Sequence, residues 1–325
     1  MRTAMGWWIR ALAGAAVAAL GMMSAGMASA EPPGPEICKG CHEAQFDTFT
    51  SSVHGKAGHP RSPASNGGCF ACHGDGTEHV KAGGGRGVGG IVNPASPKLT
   101  GAEKDRICLT CHESNRHLAF WDSGKHRKND VSCTNCHSTH GDRDTLLKIK
   151  NPEIAPFKTT VRVPQQEVCF TCHRDIRGLV ARPSHHPIVE GKVKCTSCHN
   201  PHGALSPAMV NAESIKELCT TCHADKRGPF MFEHPPVEES CLNCHNPHGS
   251  RSVKLLNEKV PNLCQDCHDA SSHPGTMYDA DANFKAPSGP TSGPNSRFIA
   301  RSCLNCHNEI HGSNSPAGRG RRFVR

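Results

Sequence analysis

Residues 240–250 read SCLNCHNPHGS, a stretch that joins two patterns recurring along the chain. Cys241 and Cys244 stand two residues apart and His245 follows at once, which gives the pattern C-x-x-C-H. His248 comes three residues later. One zinc ion could use these thiol and imidazole groups, so the distribution of such stretches over the whole chain decides between zinc and other chemistry.

The C-x-x-C-H pattern occurs ten times and accounts for all 20 cysteines. Zinc ribbons need no histidine after each cysteine pair, a redox dithiol needs one motif, and a disulfide scaffold would not repeat one short spacing. C-x-x-C-H is the attachment signature of c-type haem, in which two thiols bond to one edge of the porphyrin and the imidazole binds its iron. Ten motifs, numbered 1 to 10 in chain order, therefore predict ten covalently bound c-type haems. The predicted attachment residues are Cys38, Cys41, Cys69, Cys72, Cys108, Cys111, Cys133, Cys136, Cys169, Cys172, Cys195, Cys198, Cys219, Cys222, Cys241, Cys244, Cys264, Cys267, Cys303 and Cys306. The predicted proximal iron ligands are His42, His73, His112, His137, His173, His199, His223, His245, His268 and His307.

Thirteen further histidines are enough to supply a second ligand to every iron. Methionine is too scarce for this role, because only three methionines lie beyond residue 30. Ligation by two histidines predicts lower reduction potentials than ligation by methionine and histidine. His248 is too close to Cys244 along the chain to reach the far face of the same haem, so we expect it to bind the iron of a neighbouring one. The same N-P-H-G sequence follows His199 and places His202.

Motifs of two kinds alternate, which indicates an internal repeat of haem pairs and an elongated array. In one kind a longer spacer precedes the extra histidine, as in Cys169 with His186; in the other this histidine follows almost at once, as in Cys195 with His202. The predicted distal iron ligands are His54, His79, His126, His140, His186, His202, His234, His248, His273 and His311. The remaining histidines, expected to face solvent or propionates, are His59, His117 and His185. Because His185 adjoins His186, the choice between these two is open.

The first 30 residues have the features of a cleaved secretory signal peptide. Arg2 and Arg10 bound a charged region, an apolar run follows, and Ala28-Ser29-Ala30 forms an A-x-A cleavage site. An uncleaved membrane anchor is the alternative, since the apolar run is nearly long enough to span a bilayer. Cleavage predicts an exported mature chain, residues 31–325.

Composition leaves little material for a hydrophobic core. The mature chain offers roughly 30 residues per motif, and only 5% of the sequence is aromatic. Its 32 glycines and 24 prolines disfavour long helices and strands. The predicted fold class is therefore a multihaem cytochrome c, mostly irregular coil with short helices wrapped around a chain of ten haems. The predicted domains are one decahaem domain at 31–325 and, within it, a flexible basic tail at 314–325. Docking of that tail to an anionic partner is the alternative.

The net charge of +8 is no indication of nucleic-acid binding. Two propionates per haem would bring the mature protein to about −4 when oxidised and about −14 when reduced. The sequence at 85–90 matches G-x-G-x-x-G, but it follows no predicted strand and prolines come soon after it. We interpret it as a flexible loop rather than a dinucleotide site.

From about Glu36 to Ser315 the chain resembles the periplasmic decahaem cytochromes of the MtrA, DmsE, MtoA and PioA group. The most specific stretches are residues 224–229 leading to His234, residues 240–250, and residues 301–307 leading to His311. The resemblance implies ten haems, each ligated by two histidines, in an elongated wire. It also implies insertion into an outer-membrane β-barrel, and it points to the same ten distal histidines given above.

This resemblance favours the periplasmic wire of an outer-membrane conduit, serving metal reduction or oxidation or an external reductase. The implied partners are an outer-membrane β-barrel protein, a periplasmic or inner-membrane cytochrome as donor or acceptor, and an extracellular multihaem cytochrome or reductase. A soluble periplasmic electron shuttle is the alternative. A multihaem reductase is a third possibility, but it needs an iron with an open coordination position. The histidines suffice to close all ten irons, so we expect an electron carrier with no catalytic residues.

Overall fold

The computed structural model describes residues 35–140, 164–268 and 303–324, together with the backbone of 285–286 and 289–290. The predicted signal peptide and the predicted ligand His273 lie outside the described residues. The chain divides into two compact units, residues 1–93 and 94–325. The domain predicted at 31–325 therefore spans part of the first unit and all of the second.

Short helices joined by irregular chain make up most of the described residues. In the first unit the α-helices are α1 (Glu36–Lys39), α2 (Glu43–Ser51), α3 (Phe70–His73) and α4 (Thr77–Lys81). In the second they are α5 (Gly101–His112), α6 (Lys125–Lys128), α7 (Cys133–Cys136), α8 (Gln165–Phe170), α9 (Arg174–Val180), α10 (Cys195–Cys198), α11 (Ile215–Thr220), α12 (Pro235–Glu239) and α13 (Asn262–Gln265). The 3-10 turns are Pro63–Ser65, Val88–Gly90, Arg116–Leu118, Pro207–Met209, Ala224–Lys226, Cys241–Asn243, Val253–Leu255, Cys303–Asn305 and Gly320–Arg322. Two-residue strands, β1 (Lys285–Ala286) and β2 (Gly289–Pro290), pair antiparallel.

Each C-x-x-C-H motif forms a single helical turn or is part of a longer helix. The histidine amide donates a hydrogen bond to the carbonyl of the first cysteine, as in His42 to Cys38 at 2.9 Å and His245 to Cys241 at 3.0 Å. One such turn places residues three and four apart on the same face. Both thiols and the imidazole of a motif therefore lie on the same face of the turn.

Helix α5, with 12 residues, is the longest in the described part of the chain and carries motif 3. A capping box starts it: Glu103 donates its amide to the Thr100 hydroxyl, and the Glu103 carboxylate accepts from the Thr100 amide at 2.8 Å. The hydrogen bonds from the amide and hydroxyl of Thr100 lower the pKa of Glu103. These local bonds explain how a glycine-initiated helix forms in a chain with little core.

Apolar packing among the described residues is sparse. A small buried cluster of Phe170, Val180 and Ile188 has Ile176 and Val193 packed against it. Helices α8 and α9 supply three of these five side chains. A few aliphatic and aromatic residues cannot stabilise a unit of more than 200 residues. This agrees with the predicted fold class, in which bound cofactors complete the core.

The stretches 195–211 and 241–257 repeat one backbone arrangement. In the first, Asn200 donates its amide to the Met209 carbonyl at 2.8 Å, and in the second Asn246 donates to Leu255 at the same distance. The amide that ends each stretch returns to the carbonyl of that motif's second cysteine at 2.9 Å. The glycine of N-P-H-G is required at Gly203, because φ is +113° and a Cβ there would collide with the Phe120 carbonyl.

The segment predicted as a flexible basic tail is described up to residue 324. Its flexibility stays a prediction, and two hydrogen bonds join its backbone to residues of motif 10 and the turn after it. The Phe323 carbonyl accepts from the Glu309 amide at 3.0 Å, and the Arg322 carbonyl accepts from Nδ1 of His307 at 2.7 Å. These two backbone acceptors, which composition does not reveal, hold the segment beside motif 10.

Candidate haem-binding site

In the part of the chain that the structure describes, at least seven motif histidines face a second histidine at one recurrent distance, with ring centroids 6.0–6.4 Å apart. An iron between two imidazoles, with each nitrogen about 2 Å from the metal, would separate the ring centroids by about 6 Å. The spacing therefore fits one iron bound from both sides. The pairs are His42–His79, His137–His202, His173–His126, His199–His248, His223–His186, His245–His311 and His268–His234.

In every pair the second histidine follows a different motif from the one that it faces. His126, which follows motif 3, faces His173 of motif 5. In the same way the histidine that follows motif 5 faces the motif 7 histidine, and the histidine that follows motif 7 faces the motif 9 histidine. In the even-numbered motifs the direction is reversed. His248, which follows motif 8, faces His199 of motif 6. In the same way the histidine that follows motif 6 faces the motif 4 histidine, and the histidine that follows motif 10 faces the motif 8 histidine. Each bound iron would thus cross-link two distant chain segments.

Among the remaining predicted ligands, His54 and His140 lie in the described residues and are engaged in contacts of their own.

The open choice between His185 and His186 has a geometric answer. The Nε2 atom of His185 lies 3.0 Å from the Glu190 carboxylate, and this hydrogen bond raises the pKa of His185. The ring of His186 faces that of His223 instead.

The cysteines of successive motifs interact electrostatically in a regular order. Within motif pairs 1–2, 3–4, 5–6, 7–8 and 9–10 the first cysteines interact. Between motifs 4–5, 6–7 and 8–9 the second cysteines interact. Motifs 3 to 10 therefore form an uninterrupted series in the second unit. Because thioethers join haem at one porphyrin edge, this order would bring neighbouring haem edges close together.

Burial and these contacts shift the pKa values of several thiols. Burial raises the pKa of Cys69 to about 11 and that of Cys219 to about 12. A hydrogen bond between the thiols of Cys169 and Cys195 raises the pKa of Cys169 and lowers that of Cys195 to about 7.

Several imidazoles are held through the nitrogen that faces away from the partner ring. Nδ1 of His199 donates to the Ala208 carbonyl at 2.9 Å, and Nδ1 of His245 donates to the Lys254 carbonyl at 2.8 Å. Ala208 and Lys254 both have φ of +57°, a left-handed conformation that turns these carbonyls toward the rings. Such bonds fix the tautomer and orientation of a ligating histidine.

Burial prepares four facing histidines for metal binding. Desolvation lowers the pKa values of His202, His234, His248 and His311. Since the neutral imidazole is the form that ligates a metal, burial favours the binding state.

A buried carboxylate near motif 4 was not predicted from the sequence. Asp105 is 1% exposed, and its two oxygens accept from the Trp121 indole at 2.9 Å and from the Cys133 amide at 2.8 Å. The Trp121 ring meets the His202 ring edge-on at 6.2 Å. Asp105 therefore supports motif 4 through both its first cysteine and its facing histidine. No local pattern marks an aspartate in mid-helix for this role, although Trp121, the one tryptophan beyond residue 30, is a signal worth following.

Paired thiols in one turn, next to facing imidazoles, fit covalently bound haem. No cluster of three or more histidine, cysteine, aspartate or glutamate side chains arranged around a metal ion is found in the described ranges. Every helix in those ranges is too short or too polar to cross a bilayer.

Comparison with known proteins also indicates a c-type cytochrome. The family model for the doubled CXXCH motif matches residues 185–228 and 234–273, and the model for NrfB-like c-type cytochromes matches residues 69–155. The chain is 37% identical to the multiheme cytochrome MtrA of Shewanella baltica over 291 residues, covering 89% of this chain and 81% of the relative. It is 26% identical to the c-type cytochrome NrfB of Escherichia coli over 43% of this chain and 65% of that protein.

Fold and site together define a multihaem c-type cytochrome, an electron-transfer protein with covalently bound haem. The 37% identity to MtrA over most of both sequences also identifies the family within this class of protein. The chain belongs to the MtrA family of multihaem c-type cytochromes.

Proposed function

We propose that the chain binds ten c-type haems and is the periplasmic wire of an electron conduit through the outer membrane. The supporting observation is the uninterrupted order of motifs 3 to 10, in which the thiols of successive motifs interact electrostatically, alternately through their first and their second cysteines. Haem, when bound, supplies one-electron redox chemistry. A series without gaps keeps every transfer between neighbours short.

The side chains of this protein hold and enclose the cofactor in this proposal. Two thiols per motif attach it, the motif histidine binds the iron from one side, and the facing histidine binds it from the other. Both axial positions are then filled at the seven pairs that the structure brings together. Filled positions leave no place for a substrate at those irons, which favours an electron carrier over a reductase.

Location and partners are part of the proposal and rest on membership of the MtrA family and on the signal-like first 30 residues. The protein would lie in the periplasm, held at the outer membrane by a β-barrel partner. A periplasmic or inner-membrane cytochrome would exchange electrons at one end. An extracellular multihaem cytochrome or reductase would do so at the other.

Mild-detergent purification from the host's membranes tests this function directly. We expect a stoichiometric β-barrel protein to travel with the cytochrome. The isolated complex, placed in vesicles, should pass electrons from an external reductant to an enclosed redox dye. Vesicles that contain the barrel alone serve as the control. Recovery of the cytochrome alone in the soluble periplasmic fraction would contradict the conduit and favour a soluble shuttle.

A further inference from the structure

Asp105 is a buried charge at the junction of motifs 3 and 4. It lies in α5, three residues before Cys108 of motif 3, and is only 1% exposed. Its carboxylate accepts from the Cys133 amide of motif 4 at 2.8 Å and from the Trp121 indole at 2.9 Å. Buried charges are tolerated where donors of this kind stabilise them. Asp105 therefore gives this junction a fixed negative charge that solvent does not reach.

The charge acts on the first cysteine of each motif at this junction. The Cys108 thiol, burial and Asp105 all raise the pKa of Cys133. The hydrogen bond to Cys133 lowers the pKa of Cys108, and burial and the charge of Asp105 oppose this shift. In a c-type cytochrome these sulfurs become thioethers on a porphyrin edge. A charge that acts on the sulfur then also acts on the haem attached through it.

One cation offsets this charge in part. Nε of Arg127 lies 3.6 Å from the Asp105 carboxylate, which is beyond hydrogen-bonding distance, and the Arg127 side chain is 27% exposed. The same atom lies 3.9 Å from the carboxylate of Asp122. One guanidinium group thus faces two carboxylates, so the three side chains together remain negative.

The side chains that bridge the next two junctions carry no net charge. Between motifs 5 and 6, Gln165 of α8 and Thr196 exchange hydrogen bonds at 3.0 and 3.1 Å, and both are neutral. Between motifs 7 and 8, Lys216 of α11 forms an ion pair with Glu238 of α12, so the two charges cancel. Of these three bridges, the one between motifs 3 and 4 is made by a carboxylate.

We propose that Asp105 is a tuning residue that lowers the reduction potentials of the haems attached at motifs 3 and 4. A haem gains an electron on reduction, and a fixed negative charge beside it disfavours the reduced form. The effect should be larger at motif 4, because Asp105 bonds directly to the Cys133 amide but acts on Cys108 through its charge. The proposal rests on the haem attachment proposed above, but not on the conduit.

Burial makes a single charge effective. At an effective dielectric constant of about 20, unit charges up to about 10 Å apart change a one-electron equilibrium by more than tenfold. A tenfold change corresponds to about 59 mV for one electron. Since Arg127 offsets part of the charge, we expect a change of about tenfold at motif 4 and a smaller one at motif 3. These two haems then form an energetic step within the series.

A redox titration of the haem-loaded protein, followed by absorption, tests the proposal. Asp105→Asn keeps the shape of the side chain and removes its charge. We expect one haem to shift about tenfold toward the reduced form, a second haem to shift less, and the other eight to titrate as in the parent. Arg127→Gln removes the offsetting cation, so we expect a shift in the opposite direction. Opposite signs indicate charge, because loosened packing would not reverse the shift.

Two matched controls separate charge from structure. Trp121→Phe removes a hydrogen bond to the carboxylate but keeps the charge, and Asp122→Asn removes a charge on a side chain that is 90% exposed. We expect no rise in potential in either variant. The shift in Asp105→Asn should also persist at high salt, since buried charges are screened much less than exposed ones.

An Asp105→Asn protein with ten low-spin haems and the titration curve of the parent would overturn the proposal. A similar rise in Trp121→Phe would overturn it as well, because a hydrogen bond rather than the charge would then explain the shift. If Asp105→Asn does not retain its haems, Arg127→Gln decides, and an unchanged or raised potential there refutes the proposal. Missing haem or high-spin iron in the unmodified protein would instead refute the proposed attachment and ligation.

Discussion

Replacement of Asp105 by asparagine tests whether a buried carboxylate supports motif 4. The carboxylate accepts from the Trp121 indole and the Cys133 amide, one hydrogen bond per oxygen, and Nε of Arg127 lies 3.6 Å away. Asparagine has nearly the same shape but a single acceptor oxygen. One of the two donors in Asp105→Asn would therefore face an amide group and lose its partner.

The expected cost follows from these contacts. A buried donor left without an acceptor costs about 1–3 kcal/mol, and hydrogen bonds to a charged acceptor are stronger than those to a neutral one. We expect the local opening free energy around Cys133 to fall by about 2–4 kcal/mol. Since about 1.4 kcal/mol corresponds to a tenfold change, amide exchange there should accelerate by roughly 30-fold to 700-fold.

Hydrogen–deuterium exchange read by mass spectrometry on residues 131–135 measures this effect in the haem-loaded protein. Asp122→Asn is the matched control, because Asp122 also lies near Arg127, at 3.9 Å, but its side chain is 90% exposed. Surface substitutions of this kind change stability by about 0.5 kcal/mol or less. The reasoning would be refuted if Asp105→Asn accelerated exchange no more than Asp122→Asn does.

Three further predictions concern single sites. His186→Ala should convert one haem to a high-spin or water-ligated form in the absorption spectrum, because His186 faces a motif histidine. His185→Ala should leave all haems low-spin. Equal spectra of the two variants would contradict the pairing. Lys254→Pro should displace the carbonyl that holds His245, since proline cannot adopt φ of +57°. The loss should raise one haem potential in a redox titration, while Lys254→Gly should not. Thr100→Ala should weaken α5 by about 1 kcal/mol, as measured by exchange in the helix. Because the pKa of Glu103 is lowered, its part of the capping box is present above the ordinary carboxyl pKa and is lost as pH falls through the lowered value. The difference between parent and variant should therefore shrink at acid pH, and a difference independent of pH would argue against the box.

The sequence was informative where chemistry requires contiguous residues. Thioether attachment needs two cysteines and a histidine within one turn, so all ten motifs could be read directly. Facing histidines could be proposed from their recurrence, but not paired. His248 faces motif 6 rather than the adjacent motif 7 because the chain folds back between motifs, and this depends on tertiary contacts.

Other features carry no pattern that sequence reasoning could use. Asp105 acquires its role from partners 16 and 28 residues away. Nδ1 of His126 donates to the backbone carbonyl of Pro201, a group that every residue possesses. His185 and His186 are equivalent in sequence, and only the position of Glu190 separates them.

The most direct test of the central claim is near-infrared magnetic circular dichroism of the oxidised protein, combined with the intact mass. We propose that histidine closes both faces of every iron. We therefore expect a mass increase equal to ten haems and a spectrum in which all of them are low-spin and ligated by two histidines. A high-spin iron in the native protein, or a mass increase of fewer than ten haems, would contradict it.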